Sequence, residues 1–155
     1  MVVIEHAHEG HIEGLVDLGS ALFAEDAGRY DTFVDTTWPQ REGRADFERL
    51  VSDTSSIVLV AHDDGHVVGF LDGYRTGSSP TRQPVNYAIL RSMYVRSQHR
   101  RTGVGAGLTE RFLVWAKESG CVEAHVDSYI ANSPARQFYE RHGFVSRITS
   151  RVLAL

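Results

Sequence analysis

The chain is poor in the features that mark secreted scaffolds and membrane proteins. Cys121 is its only cysteine, so no disulfide can form within it, which excludes the small disulfide-stapled domains. No apolar run approaches the roughly 20 residues needed to span a membrane. The start, Met1 to Glu5, has neither the basic residues nor the apolar stretch of a secretory leader. The expectation is a cytoplasmic protein without a membrane partner. There is no internal repeat and no low-complexity segment. What the chain does have is 42% hydrophobic residues in a length of 155, enough for a single cored domain over residues 1–155.

Charge is uneven along that length. The net charge is −4, yet residues 91–155 hold ten bases against five acids, while residues 1–40 hold eight acids against Arg29 alone. Opposite signs at the two ends can serve two ligands of opposite charge; solvated helix faces are the plainer reading. A nucleic-acid partner is not expected. The total is negative, and the arginines gather around a glycine loop rather than along an aromatic-studded strand.

Periodicity outlines the elements. Val2–His6 reads as a strand, and residues 8–26 carry Ile12, Leu15, Val16, Leu18, Leu22 and Phe23 at helical spacing until Gly28 breaks the run. A second helix is predicted over about 40–52. Strands follow at Ser56–His62 and Val67–Tyr74, joined at Asp63-Asp64-Gly65, a hairpin turn signal. A loop over 76–84 leads to a strand at Val85–Val95, a helix over about 103–119 closed by Gly120, and a strand at Val122–Ser128. A helix over 133–142 should start with Ser133 as N-cap and Pro134 as its first residue, and Phe144–Leu155 reads as a closing strand, broken in the middle. The order β-α-α-β-β-β-α-β-α-β describes a mixed α/β sheet flanked by helices.

The sharpest local feature is Arg100-Arg101-Thr102-Gly103-Val104-Gly105-Ala106-Gly107, which follows a strand and opens a helix. Glycines let the backbone approach a ligand closely. Free N–H groups at a helix start attract anions, and the arginines add charge-assisted contacts. Together they suit a pyrophosphate. The Gly-Lys-Ser/Thr of a nucleotide P-loop is missing, and Leu108 stands where a dinucleotide fingerprint needs its third glycine.

Arg100-x-x-Gly103-x-Gly105 resembles the Arg/Gln-x-x-Gly-x-Gly/Ala loop of the GNAT superfamily of N-acetyltransferases. Met93-Tyr94-Val95 is similar to the hydrophobic strand that precedes that loop. Asn132-x-x-Ala135-x-x-Phe138-Tyr139-Glu140-x-x-Gly143-Phe144 matches the second signature. The close resemblance covers residues 85–145. It implies a mostly antiparallel sheet of about six or seven strands with about four helices. It also implies an enzyme that carries acetyl from acetyl-CoA to an amine through a ternary complex, with no metal.

By that resemblance, Arg100, Arg101, Thr102, Gly103, Val104 and Gly105 hold the coenzyme pyrophosphate. Met93, Tyr94 and Val95 pair with its pantetheine arm like an added strand, and Asn132 contacts that arm or fixes the turn. Tyr139 is the acid for the leaving thiolate. Many members carry a glutamate base just before the Met93-Tyr94-Val95 segment; here Arg91 stands near that place and cannot serve at neutral pH. Asp127 and Asp72 are the candidate bases in its place, and an amine that binds already neutral would need none. A non-catalytic acetyl-CoA-binding module of the same fold is the alternative that the missing glutamate supports.

The acceptor wall is expected from the first helix-to-helix segment. Glu25, Asp31, Tyr30 and Trp38 there mix carboxylates with aromatic faces, which suits a small cationic amine of the aminoglycoside or polyamine kind; a protein N-terminus or lysine is the competing acceptor. Cys121 reads as a small buried hydrophobe. His6, His8 and His11 straddle a strand-to-helix junction without a cysteine, and a metal is not expected there. A homodimer through the C-terminal strands is possible, with Val152, Leu153 and Leu155 as its apolar side.

Overall fold

The computed structural model describes residues 1–155. Five strands form one sheet in the order β1 (Val2–His6), β2 (Ser56–Asp63), β3 (His66–Gly77), β4 (Asn86–Val95) and β5 (Cys121–Val126). The first four run antiparallel and β5 lies parallel to β4. The β2–β3 hairpin closes on Asp64 and Gly65, both at positive φ (47° and 79°), the two-residue turn that matches strand twist.

Both faces of the sheet are covered, which explains why β2 reads as an unbroken apolar run. Val58, Val60, Phe70 and Tyr94 pack against Ile12, Leu15 and Leu18 of α1 (Ile12–Leu22). Phe47 and Leu50 of α3 (Trp38–Ser52) complete that core. Ile57, Leu59, Ala61 and Leu71 face the other way, onto Val104, Leu108 and Phe112 of α4 (Val104–Glu118). The last helix, α5 (Ser133–Arg141), reaches the start of α4, where Phe138 lies 3.3 Å from the place of a Cβ on Gly105.

Three expectations change. Gly28 does not break the first helix. Phe23–Ala27 forms a π-helical turn that runs straight into a last short turn, α2 (Gly28–Tyr30). A Cβ at position 28 would sit 2.8 Å from the Phe23 carbonyl oxygen and 2.5 Å from Thr36 Cγ2, so the glycine permits the widened turn rather than ending it. The N-cap of α5 is Asn132, not Ser133, because the Asn132 Oδ1 accepts from the Ala135 N–H (3.2 Å). Finally, the sheet has five strands, not six or seven. Residues 144–155 form no strand; after the Phe144 N–H that closes α5 they make no backbone hydrogen bond. They touch β5 through Arg147, whose guanidinium donates to both oxygens of Glu123 (3.1 and 3.0 Å). Val145, Ile148, Val152, Leu153 and Leu155 stay exposed.

One irregularity positions the site. Ser92 pairs with Asp72 and Leu90 with Gly73, so Arg91 is an extra residue, a β-bulge in β4. Asp72 is fully buried, and Arg91 meets it with two parallel bonds (Nε–Oδ1 2.7 Å, Nη2–Oδ2 3.0 Å) while Nη1 reaches Asp46 of α3 (2.8 Å). Removing one partner from a buried ion pair strands the other's charge. Arg91→Ala is therefore expected to destabilise the fold by about 3–5 kcal/mol in denaturant melts, whereas Arg44→Ala, on an exposed pair with Glu13, should change it by less than about 1 kcal/mol.

Candidate active site

The bulge marks where two strands part. Pairing of β4 with β5 ends at Leu90 beside Val126. Beyond it, Ser92 to Val95 are laddered to β3 only, so one edge of Met93, Tyr94 and Val95 has no strand beside it and borders an open cleft. Met93 points toward α4, with its sulfur 3.6 Å from the Thr109 hydroxyl, while Tyr94 points to the α1 side.

At the mouth of the cleft the chain passes through a turn at Ser97–His99 and then through two left-handed residues, Arg101 (φ 62°) and Gly103 (φ 90°), before α4 begins. Such a sequence of turns aims successive N–H groups inward as an anion nest. No backbone carbonyl accepts from the N–H groups of Arg101, Thr102, Gly103, Val104, Gly105 or Ala106. Free donors at a helix start, with Arg101 exposed beside them, fit a pyrophosphate. Arg100 is placed differently. Its Nε donates to the Val95 carbonyl (2.8 Å), its Nη2 donates to Glu25 Oε2 (2.8 Å), and its guanidinium lies over the Tyr94 ring (5.3 Å). Two of its donors are thus committed to the protein, and the Val95 carbonyl with them.

Asn132 and Tyr139 bound the other side. Tyr139 is wedged between Phe138 and Phe144, at ring distances of 5.4 and 5.7 Å. Burial, and then the negative charge of Asp26, push its phenol up to about 12, so it carries its proton at neutral pH. Its hydroxyl donates to no protein group and is not among the fully buried polar atoms left without a partner.

The π-turn supplies the third wall. Glu25 and Asp26 are neighbours on this turn, yet they bond to opposite banks. Glu25 accepts from the Tyr94 hydroxyl (2.9 Å) and Arg100 on the β4 bank. Asp26 accepts from Asn132 Nδ2 (2.9 Å) on the α5 bank. Tyr30 packs its ring on Tyr129 (5.4 Å), and the charges of Asp31 and Asp26 help burial raise the Tyr129 phenol. Trp38 lies apart, stacked on Phe23 (5.9 Å) beside a cavity of about 240 Å³ that also touches Asp72, Arg91 and Ser92.

Of the carboxylates expected to act as base, Asp72 is locked to Arg91. Asp127 is exposed just past the end of β5 and bonds to no residue. Cys121 is half-buried, and burial pushes its thiol up, away from nucleophilic character. The residues that sequence reasoning missed are Asp26 and Tyr129. Asp26 stands next to Glu25 in the same acidic run, but its direction is set by a π-turn with no local signature.

Comparison with known proteins agrees with this geometry. The model of the acetyltransferase (GNAT) family matches residues 21–144. An aminoglycoside N(6')-acetyltransferase type 1 from Acinetobacter genomosp. 13 is 27% identical over 113 residues, 69% of this chain and 76% of that protein. Among solved structures, a variant of the BH1408 protein from Bacillus halodurans superposes with a TM-score of 0.90 at 19% identity, covering 99% of both chains. Aminoglycoside 6'-N-acetyltransferase AAC(6')-IG from Acinetobacter haemolyticus does so with a TM-score of 0.78 at 19% identity, covering 99% of this chain and 97% of that one. The chain belongs to the GNAT acetyltransferase family: it is an acyltransferase, and acetyl-CoA is its acetyl donor.

Away from the cleft, the histidines meet at the start of α1. Ligating atoms of Glu5, His8 and His11 lie within 4.8 Å of one another, with His62 Nε2 3.0 Å from Glu5 Oε1; His6 is outside the group. His8 Nδ1 accepts from the Gly10 N–H (3.1 Å) and His11 Nδ1 from the His8 N–H (3.2 Å). Those bonds leave the proton on each Nε2, the nitrogen a metal would need, so the pair serves as a helix cap. Burial, the His8 ring and His62 hold His11 below the usual imidazole value, against the pull of Glu5. The folded form therefore binds that proton less readily than the unfolded form. Stability should be full above about pH 6.5 and fall as pH drops from there through the lowered folded value. Urea melts across pH 7.5 to 5 should show this slope, and His11→Asn, which keeps an acceptor at the cap, should reduce it.

Proposed function

We propose that the chain acetylates a small cationic amine, of the aminoglycoside or polyamine kind, at the junction of the π-turn, the β4 edge and α5. The observation that carries this reading is the group formed by Asp26, Asp31, Tyr30 and Tyr129 beside Asn132 and Tyr139. Carboxylates next to aromatic faces favour an ammonium by charge and by cation–π attraction. Relatives named as aminoglycoside N(6')-acetyltransferases support the same acceptor class.

Acetyl-CoA supplies the activated acetyl group as a thioester. The N–H groups of Arg101 to Ala106 would hold its pyrophosphate, and the free edge of Met93 to Val95 would align its amide arm by strand-like pairing. A free N–H of that edge is the donor available to the carbonyl oxygen as it gains charge. As the C–N bond forms and the C–S bond breaks, Tyr139 gives its proton to the departing sulfur. Its phenol holds the proton until a thiolate appears beside it, and the acid role belongs to a group within reach of that sulfur.

The exposed apolar tail, residues 144–155, lies next to the open edge of β5, and a second copy of this chain is the partner we assign to both. Full-length protein should then run as a dimer in light scattering, and a chain ending at Val145 as a monomer.

Thiol release from acetyl-CoA across aminoglycosides, polyamines, amino acids and a lysine peptide tests the acceptor. A cationic small molecule should give the highest kcat/KM, and Tyr139→Phe should lower kcat by about 10²-fold or more with unchanged coenzyme binding. Turnover confined to the lysine peptide would overturn the acceptor class.

A further inference from the structure

Acetyl transfer releases a proton from the acceptor nitrogen, and the usual strand glutamate is replaced here by Arg91, whose guanidinium faces Asp72 and Asp46. We infer that Asp26, presented by the π-turn and oriented by Asn132, is the catalytic base that takes this proton. The inference rests on the reading that the acceptor amine enters at the α5 bank of the cleft.

Elimination among the nearby carboxylates leads there. Asp72 is sealed and paired. Glu25 is bonded to Tyr94 and neutralised by Arg100. Asp127 is exposed with no partner to orient it. Asp31 spends Oδ1 on the Phe33 N–H (3.0 Å), at a turn after α2. Asp26 differs from all of these. It is half-buried and forms no ion pair. The bond it accepts comes from a neutral amide, Asn132 Nδ2 at 2.9 Å, which fixes its direction without cancelling its charge.

The same asparagine ties Asp26 to the acid. Asn132 accepts from the Ala135 N–H through Oδ1 and donates to Asp26 through Nδ2. One side chain therefore sets both the start of α5 and the heading of the carboxylate. Tyr139 is seven residues further along that helix, about two turns, and its phenol feels the Asp26 charge. A base and an acid thus stand at one bank, and burial, with the Asp26 charge added to it, keeps the phenol protonated. The ammonium first loses one proton to solvent, and in the transfer the neutral amine nitrogen bonds to the carbonyl carbon. Its proton goes to an Asp26 oxygen, the C–S electron pair goes to sulfur, and sulfur takes the Tyr139 proton. Proton exchange with water then restores both groups.

Asp26 is presented from the π-turn. Such turns within helices recur at functional sites, and here Gly28 must be glycine for the turn to form beside the Phe23 carbonyl.

The experiment is Asp26→Asn, with Asp26→Glu and Asn132→Ala beside it. Asparagine at 26 still accepts from Asn132 Nδ2 through its amide oxygen, so the change removes charge and basicity while keeping the bond. Steady-state kinetics should show kcat lowered by about 10²-fold, with little change in KM for the amine and in coenzyme affinity. Asp26→Glu should recover part of the loss, and Asn132→Ala should lose less than Asp26→Asn. Unchanged kcat in Asp26→Asn, or a rise in KM alone, overturns the inference; the second outcome makes Asp26 a binding group. If the parent acetylates only a lysine peptide, the small-amine reading fails while the same kcat comparison on that peptide still decides the role of Asp26. Matching melting temperatures and coenzyme affinities show that the variants fold.

Discussion

Asp72 lies wholly inside the sheet, and a carboxylate there needs a cation. Arg91 provides it from the adjacent strand, at the one residue of β4 that has no partner opposite it. The extra residue bends β4 just where its pairing with β5 stops. The buried pair therefore does more than satisfy a charge. It holds the bulge, the bulge separates the strands, and the separation exposes the β4 edge along which a thioester can lie. Gly73 belongs to the same device: a Cβ there would meet the Ile89 carbonyl oxygen at 2.4 Å, so the two strands approach closely beside the bulge.

Around that cleft, the first helix acts as a clasp. Its π-turn sends Glu25 to Tyr94 and Arg100 on one bank and Asp26 to Asn132 on the other. The loop before α4 and the start of α5 are thereby linked through adjacent residues of one turn. Arg100 joins the π-turn to the end of β4 most directly, because its side chain meets both the Glu25 carboxylate and the Val95 carbonyl.

Much of this was legible before the structure. The apolar run of β2, the hairpin at Asp64-Gly65, and the glycine loop before α4 each depend on local chemistry: burial on two faces, positive φ, and free N–H groups at a helix start. Arg91 could be recognised as a residue out of place, but not as the bulge that opens the site. The start of α5 was misplaced by one residue, since Ser133 and Asn132 are both good caps and only the geometry of the turn selects between them. The C-terminal apolar residues look like a strand because alternation marks a face to be buried, without saying what buries it; in one chain nothing does.

What the sequence determines by itself is the order of elements as far as α5, the glycine loop before α4 and the motif from Asn132 to Phe144, because each lies within one segment and follows from spacing, backbone freedom and the resemblance of two motifs. Only the tertiary structure decides which carboxylate lies beside Asn132 at the start of α5. Asp26, Asp31, Asp72 and Asp127 are equivalent as residue types. They differ in the cation, amide or solvent that lies against each one, and those neighbours come from 19 residues away in one case and 106 in another. Long-range partners of this kind set both charge and direction, and no local pattern records them.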